Sequence, residues 1–183
     1  MALPAALYDF QVDLRHVDRS LEQSLQFKVA RHPSETLERV WLRVLAFCWC
    51  WDERLSFGPG LSDPDAPDCA STDYTGQLTQ WIRVGKAEPE RVQKILDRNH
   101  AAQVTLLLDS PERLEEFAQA KLARAERLTV AAADPQLIRA LAADESRRAK
   151  LILTIVGDHC YLDRGGQTLD GPLERGRIGL STP

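Results

Sequence analysis

Excess positive charge is the first thing this sequence lacks. Lys and Arg number 23 against 27 Asp and Glu, a formal net charge of −4, which excludes a protein that holds nucleic acid by bulk electrostatics and leaves room only for a local basic site. Long apolar runs are missing too. Trp41 to Trp51 and Leu151 to Val156 are interrupted well before the length a membrane span requires. Met1-Ala2-Leu3-Pro4-Ala5-Ala6-Leu7 has no basic start and no sustained apolar core, so it does not read as a secretory leader. The expectation is a cytoplasmic protein with no membrane association.

Cysteine is sparse. Cys48, Cys50, Cys69 and Cys160 are too few and too scattered for the disulfide framework of a small secreted domain. Cys48-Trp49-Cys50 is half a metal motif with no second half, and on a helix residues two apart point away from each other. These thiols are expected to be small buried hydrophobes. The histidines at 16, 32, 100 and 159 are dispersed without ligand spacing, and no repeat, coiled coil or low-complexity tract interrupts the chain.

What is present fits one domain over residues 1–183, with 44% apolar residues to build a core. Ala6 to Leu14, from Tyr8 onward, and Leu21 to Val29 alternate apolar and polar around a polar turn at Asp18-Arg19-Ser20, an opening β-hairpin. Pro33-Ser34-Glu35 reads as a helix start with Ser34 as N-cap. Leu37, Val40, Trp41, Val44, Leu45 and Cys48 follow at helical spacing. At about 100° per residue Glu38 falls inside that apolar arc, while Arg39 and Arg43 fall outside. A carboxylate on a buried face is costly unless something meets it, so Glu38 stands out.

Asp52 to Thr75 is a long connection rich in Pro, Gly and Asp, of the kind that carries function in compact domains. Leu78 to Gly85 reads as a strand with Trp81 and Arg83 on one face. Helices over 88–99, 111–124 and 135–142 then alternate with strands over 103–108 and 127–132, the pattern of a parallel sheet flanked by helices. Lys150 to Leu162 reads as a closing hairpin through Gly157-Asp158, and the tail from Gly165 as irregular.

The strings Ala30-Arg31-His32-Pro33-Ser34-Glu35-Thr36…Glu38-Arg39, Asp52-Glu53-Arg54-Leu55…Gly60-Leu61, Asp65-Ala66-Pro67-Asp68, Thr75-Gly76 and Trp81-Ile82…Val84-Gly85, in this order, resemble the YaeQ family. The match is strong to about Leu108 and weaker beyond. That resemblance implies an α/β (α+β) fold with a mixed sheet flanked by helices. It implies a core like that of the PD-(D/E)XK restriction endonucleases, with β-hairpins at both ends. There two carboxylates hold Mg²⁺ or Mn²⁺ through oxygen, and metal and lysine activate the scissile phosphate of DNA or RNA.

Carried over, Asp68 and Glu38 are the metal ligands and Lys94 replaces the lysine, whose usual place holds Gly85; Lys86 is nearer but matches less well. Arg83 stands where the second acid belongs. A guanidinium there changes the site charge by two units, repels a cation and can pair with Asp68 and Glu38. The resemblance therefore implies a weakened or inactive metal-dependent phosphodiesterase built on Glu38, Asp68, Arg83 and Lys94. Three alternatives stand beside it. One is a nucleic-acid-binding module using Arg31, Arg39, Arg43, Arg83, Arg91 and Lys94, with Trp81 for stacking. Another is an interaction protein linked to transcription. The last is an active nuclease with a migrated acid such as Asp65 or Asp73.

Overall fold

Alternation along Ala6–His16 (β1) and Leu21–Arg31 (β2) becomes an unbroken antiparallel hairpin, from Ala6 opposite Arg31 to His16 opposite Leu21. Its turn is a short 3-10 segment, Val17–Arg19, closed by Ser20 in the left-handed region at φ 49°. Tyr8, Phe10, Val12, Leu14 and His16 face the core, and the residues between them face outward. Burial lowers the pKa of His16, and the nearby Arg19 adds to the effect.

The computed structural model of the chain describes residues 5–63 and 65–179. Residues 1–4 of the segment read against a leader, Pro64 of the long connection and residues 180–183 of the tail lie outside the described residues.

Helix α1 spans Leu37–Trp49, with Thr36 as N-cap accepting from the Arg39 N–H at 3.3 Å. Ser34 belongs instead to the turn before it and bonds His32. From Val40 to Trp49 every residue is buried, because a curved sheet wraps the helix. Strands Ser56–Phe57 (β3), Cys69–Thr72 (β4), Leu78–Val84 (β5), Gln103–Leu108 (β6), Leu128–Ala133 (β7), Arg148–Val156 (β8), His159–Arg164 (β9) and Gln167–Arg175 (β10) complete it. The order is β2-β1-β8-β9-β10-β7-β6-β5-β4-β3, with parallel pairs at β1·β8, β5·β6 and β6·β7. This is a large mixed sheet flanked by helices. Its two ends approach each other over α1, where Phe27 of β2 and Phe57 of β3 sit 5.4 Å apart between ring centroids and both pack on Phe47.

Helix α4 (Pro135–Ala142) joins α1 inside the curl through Leu137, Ile138 and Leu141. Helices α2 (Pro89–Arg98) and α3 (Leu114–Gln119) cover the opposite face of β5, β6 and β7 with Val92, Leu96, Leu114 and Phe117. Trp81 belongs to this second core and is 3% exposed.

Two further expectations need correction. The tail from Gly165 is not irregular: β10 bridges β9 to β7 and joins the halves of the sheet. The helix expected over 111–124 is a 3-10 turn followed by six residues of α3. Cys48, Cys69 and Cys160 are buried free thiols whose pKa burial pushes up, Cys160 to about 12. Cys50, half-buried, rises to about 12 for the same reason. Among the described residues no helix is long and apolar enough to cross a membrane.

Candidate functional site

The long connection is built to deliver one side chain. Gly58 runs so close to Pro67 that a Cβ there would meet the Pro67 carbonyl oxygen at 2.0 Å, so no other residue fits without moving the chain. Its N–H donates to the Asp68 carbonyl at 2.8 Å, while the Asp68 N–H donates to Ile82 at 2.8 Å. Asp68, 3% exposed, thus sits at the head of β4 beside β5. Oδ2 accepts from the Val84 N–H at 2.9 Å, and Oδ1 accepts from Arg39 Nη2 at 2.5 Å.

The acid that shares this pocket is Glu35, which is 2% exposed. Glu38 sits in the first turn of α1 and is exposed; there its charge favours the helix N-terminus. Glu35 lies on the turn ahead of the helix. Its Oε1 accepts from Arg39 Nη1 at 2.6 Å, its Oε2 accepts from the His32 N–H at 3.2 Å, and Arg43 Nη1 reaches it at 3.3 Å. Arg43, 1% exposed, also donates to the Ala30 carbonyl at 3.0 Å and holds its Nε 3.9 Å from Asp68 Oδ1. Two buried carboxylates, the buried Arg43 and the partly exposed Arg39 therefore compensate one another, as buried charges must. The spacing 35, 39, 43 is the sequence signal of this network.

The guanidinium on Asp68 is that of Arg39, rather than Arg83 as the sequence suggested. With one Asp68 oxygen held by Arg39 and the other by a backbone N–H, this donor set does not fit a divalent cation. Among the described residues no group of three His, Cys, Asp or Glu side chains is placed to hold a metal. Asp73 closes the β4–β5 turn, accepting from the Thr75 hydroxyl at 2.6 Å and the N–H groups of Thr75 and Gln77. The Thr75 hydroxyl is the main reason its pKa is lowered.

Arg83 and Lys94 meet elsewhere. They line a cleft of about 540 Å³ between the C-terminal end of β5, the loop after it and α2. Gly85, at φ 80°, turns the chain out of β5 there. Lys86, Arg91, Arg98 and Arg113 line the same cleft, with Asp65 and Glu88 as its acids. Arg113 pairs with Asp109 at 2.9 Å. Among the described residues Lys86, Arg91, Lys94 and Arg98 form no ion pair. Arg91, Lys94 and Arg98 follow i, i+3, i+7 spacing and so share one exposed stripe of α2, about 10 Å long. A concave surface with four cations unneutralised by carboxylates focuses negative ligands. Its position outside the carboxyl ends of parallel strands is where open sheets of this kind place ligands.

Of the basic set read from sequence, Arg83, Arg91 and Lys94 line this cleft, whereas Arg39 and Arg43 belong to the buried network. Arg31 is tied to the Glu35 carbonyl at 2.8 Å and to the Tyr8 hydroxyl. Buried Trp81 offers no stacking face. Glu38 is not part of the cleft.

A family model described as YaeQ protein matches residues 1–171. The chain is 40% identical to the YaeQ protein of Salmonella typhi over 95 residues, which are 51% of this chain and 52% of that protein. To the YaeQ protein of Escherichia coli K12 it is 38% identical over 107 residues, 58% of each. The chain thus spans a little over half the length of these curated relatives. Its fold is similar to the crystal structure of the YaeQ protein from Xanthomonas axonopodis pv. citri, with a TM-score of 0.85 at 28% identity, covering 96% of this chain and 99% of that one. It is also similar to the YaeQ protein from Pseudomonas syringae, with a TM-score of 0.82 at 26% identity, covering 95% and 97%.

Proposed function

This chain belongs to the YaeQ family, and from that premise we propose that it binds the phosphate backbone of nucleic acid in the cleft between β5 and α2 without cleaving it. The observation that carries the reading is the concentration of Arg83, Lys86, Arg91, Lys94, Arg98 and Arg113 in one concavity of a chain whose net charge is −4. Among the described residues no aromatic lines that cleft, so bases find no stacking partner there and recognition is of phosphate and sugar.

The restriction-endonuclease-like core belongs to the same reading. A parallel run β5-β6-β7 with helices on one face and Pro67-Asp68 at the head of an antiparallel hairpin supports it. In that reading the chain keeps the nuclease framework and has lost the metal chemistry. Arg39 holds the Asp68 carboxylate that Mg²⁺ or Mn²⁺ would need as a ligand. The continuous ten-strand sheet supports a single domain over 1–183, and the buried reduced thiols suit the cytoplasm.

The test is fluorescence anisotropy of labelled single-stranded oligonucleotides at low salt. Wild type is expected to bind oligo-dA and oligo-dT alike. Lys94→Ala, at an exposed position, is expected to weaken both about three- to tenfold, one phosphate contact each. No binding at low salt, or equal binding by the variant, would remove the cleft from the account.

A further inference from the structure

β2 ends the sheet with 11 residues that, among the described residues, pair only with β1. Edges of this length are usually blunted by proline, bulges, charged side chains or a covering helix or loop. Leu21–Arg31 contains no proline or glycine, and its register with β1 is continuous. An open backbone edge of this kind is a template for another strand.

Which residues are available follows from the pairing. The Asp9 N–H donates to Arg147, ahead of β8, at 2.8 Å. Backbone groups alternate sides along a strand, so Asp9, Gln11 and Asp13 turn to β8, while Tyr8, Phe10, Val12 and Leu14 turn to β2. Their partners Val29, Phe27, Leu25 and Gln23 therefore face β1. Glu22, Ser24, Gln26, Lys28 and Ala30 point their N–H and C=O groups out of the sheet, and all five are exposed residues. The Ala30 carbonyl is already engaged, accepting from Arg43. The usable edge is Glu22 to Lys28.

We infer that this edge pairs with the same edge of a second copy of this chain, antiparallel about a two-fold axis at Leu25. In that register Glu22 lies opposite Lys28 of the other copy, twice per dimer, and Ser24 lies opposite Gln26. Every outward-facing residue from 22 to 28 then forms a hydrogen-bonded pair, about eight ladder bonds in all. The axis one residue further, at Gln26, would pair Glu22 with Ala30, whose carbonyl is taken, and would leave Lys28 opposite Ser24. Charge complementarity thus selects both the partner and the register. The half-buried Leu25 side chains meet across the axis on the apolar face.

Sedimentation equilibrium of the full chain from about 1 to 500 µM is expected to show a monomer–dimer equilibrium. Gln26→Pro removes an outward N–H without touching the β1 ladder, and should leave a monomer with an unchanged circular dichroism spectrum. Glu22→Lys or Lys28→Glu alone should raise the dissociation constant about tenfold through two like-charge pairs, and the combined exchange should restore it. A monomer at every concentration would overturn the inference. So would a dimer indifferent to Gln26→Pro, or an exchange that fails to restore association.

Discussion

Glu35→Gln is expected to destabilise the protein by about 3–5 kcal/mol, the range for removing one partner of a buried ion pair. The volume is kept and only the charge is lost. What remains is Arg43, 1% exposed, and Arg39, with Asp68 as the sole anion between two guanidiniums. For a chain of this length that corresponds to a fall in Tm of roughly 6–20 °C, measurable by thermal denaturation. Glu38→Gln, three residues away and exposed, should stay within about 0.5 kcal/mol of wild type. The pair separates the structural account from the sequence reading, which placed the buried acid at 38. Equal, small effects would mean that Glu35 is solvated and the network is not closed.

Reversing two cations on the α2 stripe, Arg91→Glu with Arg98→Glu, is expected to abolish oligonucleotide binding, with a loss of at least about a hundredfold. The cleft would go from six cations and two acids to four and four. Each reversal removes an attraction to phosphate and adds a repulsion, and in a concavity both act at short range. Because both residues are exposed on α2, Tm should hardly move. Binding that survives the double reversal would place the nucleic-acid surface elsewhere or nowhere.

The elements whose signals are local were legible in the sequence. β1 and β2 announce themselves by strict alternation, and Pro89 and Pro135 mark two helix starts within a residue of where they fall. β10 was illegible because its partners, β9 and β7, lie far apart in the chain, and nothing local in Gln167–Arg175 reports such a pairing. Glu38 misled because periodicity assumes that the burying surface extends along the whole helix. Here Leu37 and Val40 of the first turn of α1 are buried while Glu38 between them is exposed, and the buried acid, Glu35, precedes the helix.

Lys94 and Arg83 line one cleft, while Asp68 turns inward to Arg39. That division was invisible in the sequence, since Arg39 lies 29 residues from Asp68 and its position on the wheel marked it as a solvated residue. Arg83 departs from the family pattern and stands out in the sequence, whereas Arg39, which meets Asp68, fits it and does not.

The most direct test of backbone binding in the cleft is the salt dependence of wild-type affinity for a single-stranded oligonucleotide. Each phosphate neutralised contributes about −0.7 to the slope of log K against log salt, so three to six contacts predict a slope between about −2 and −4. A slope near zero, or no measurable binding at low salt, would contradict the account.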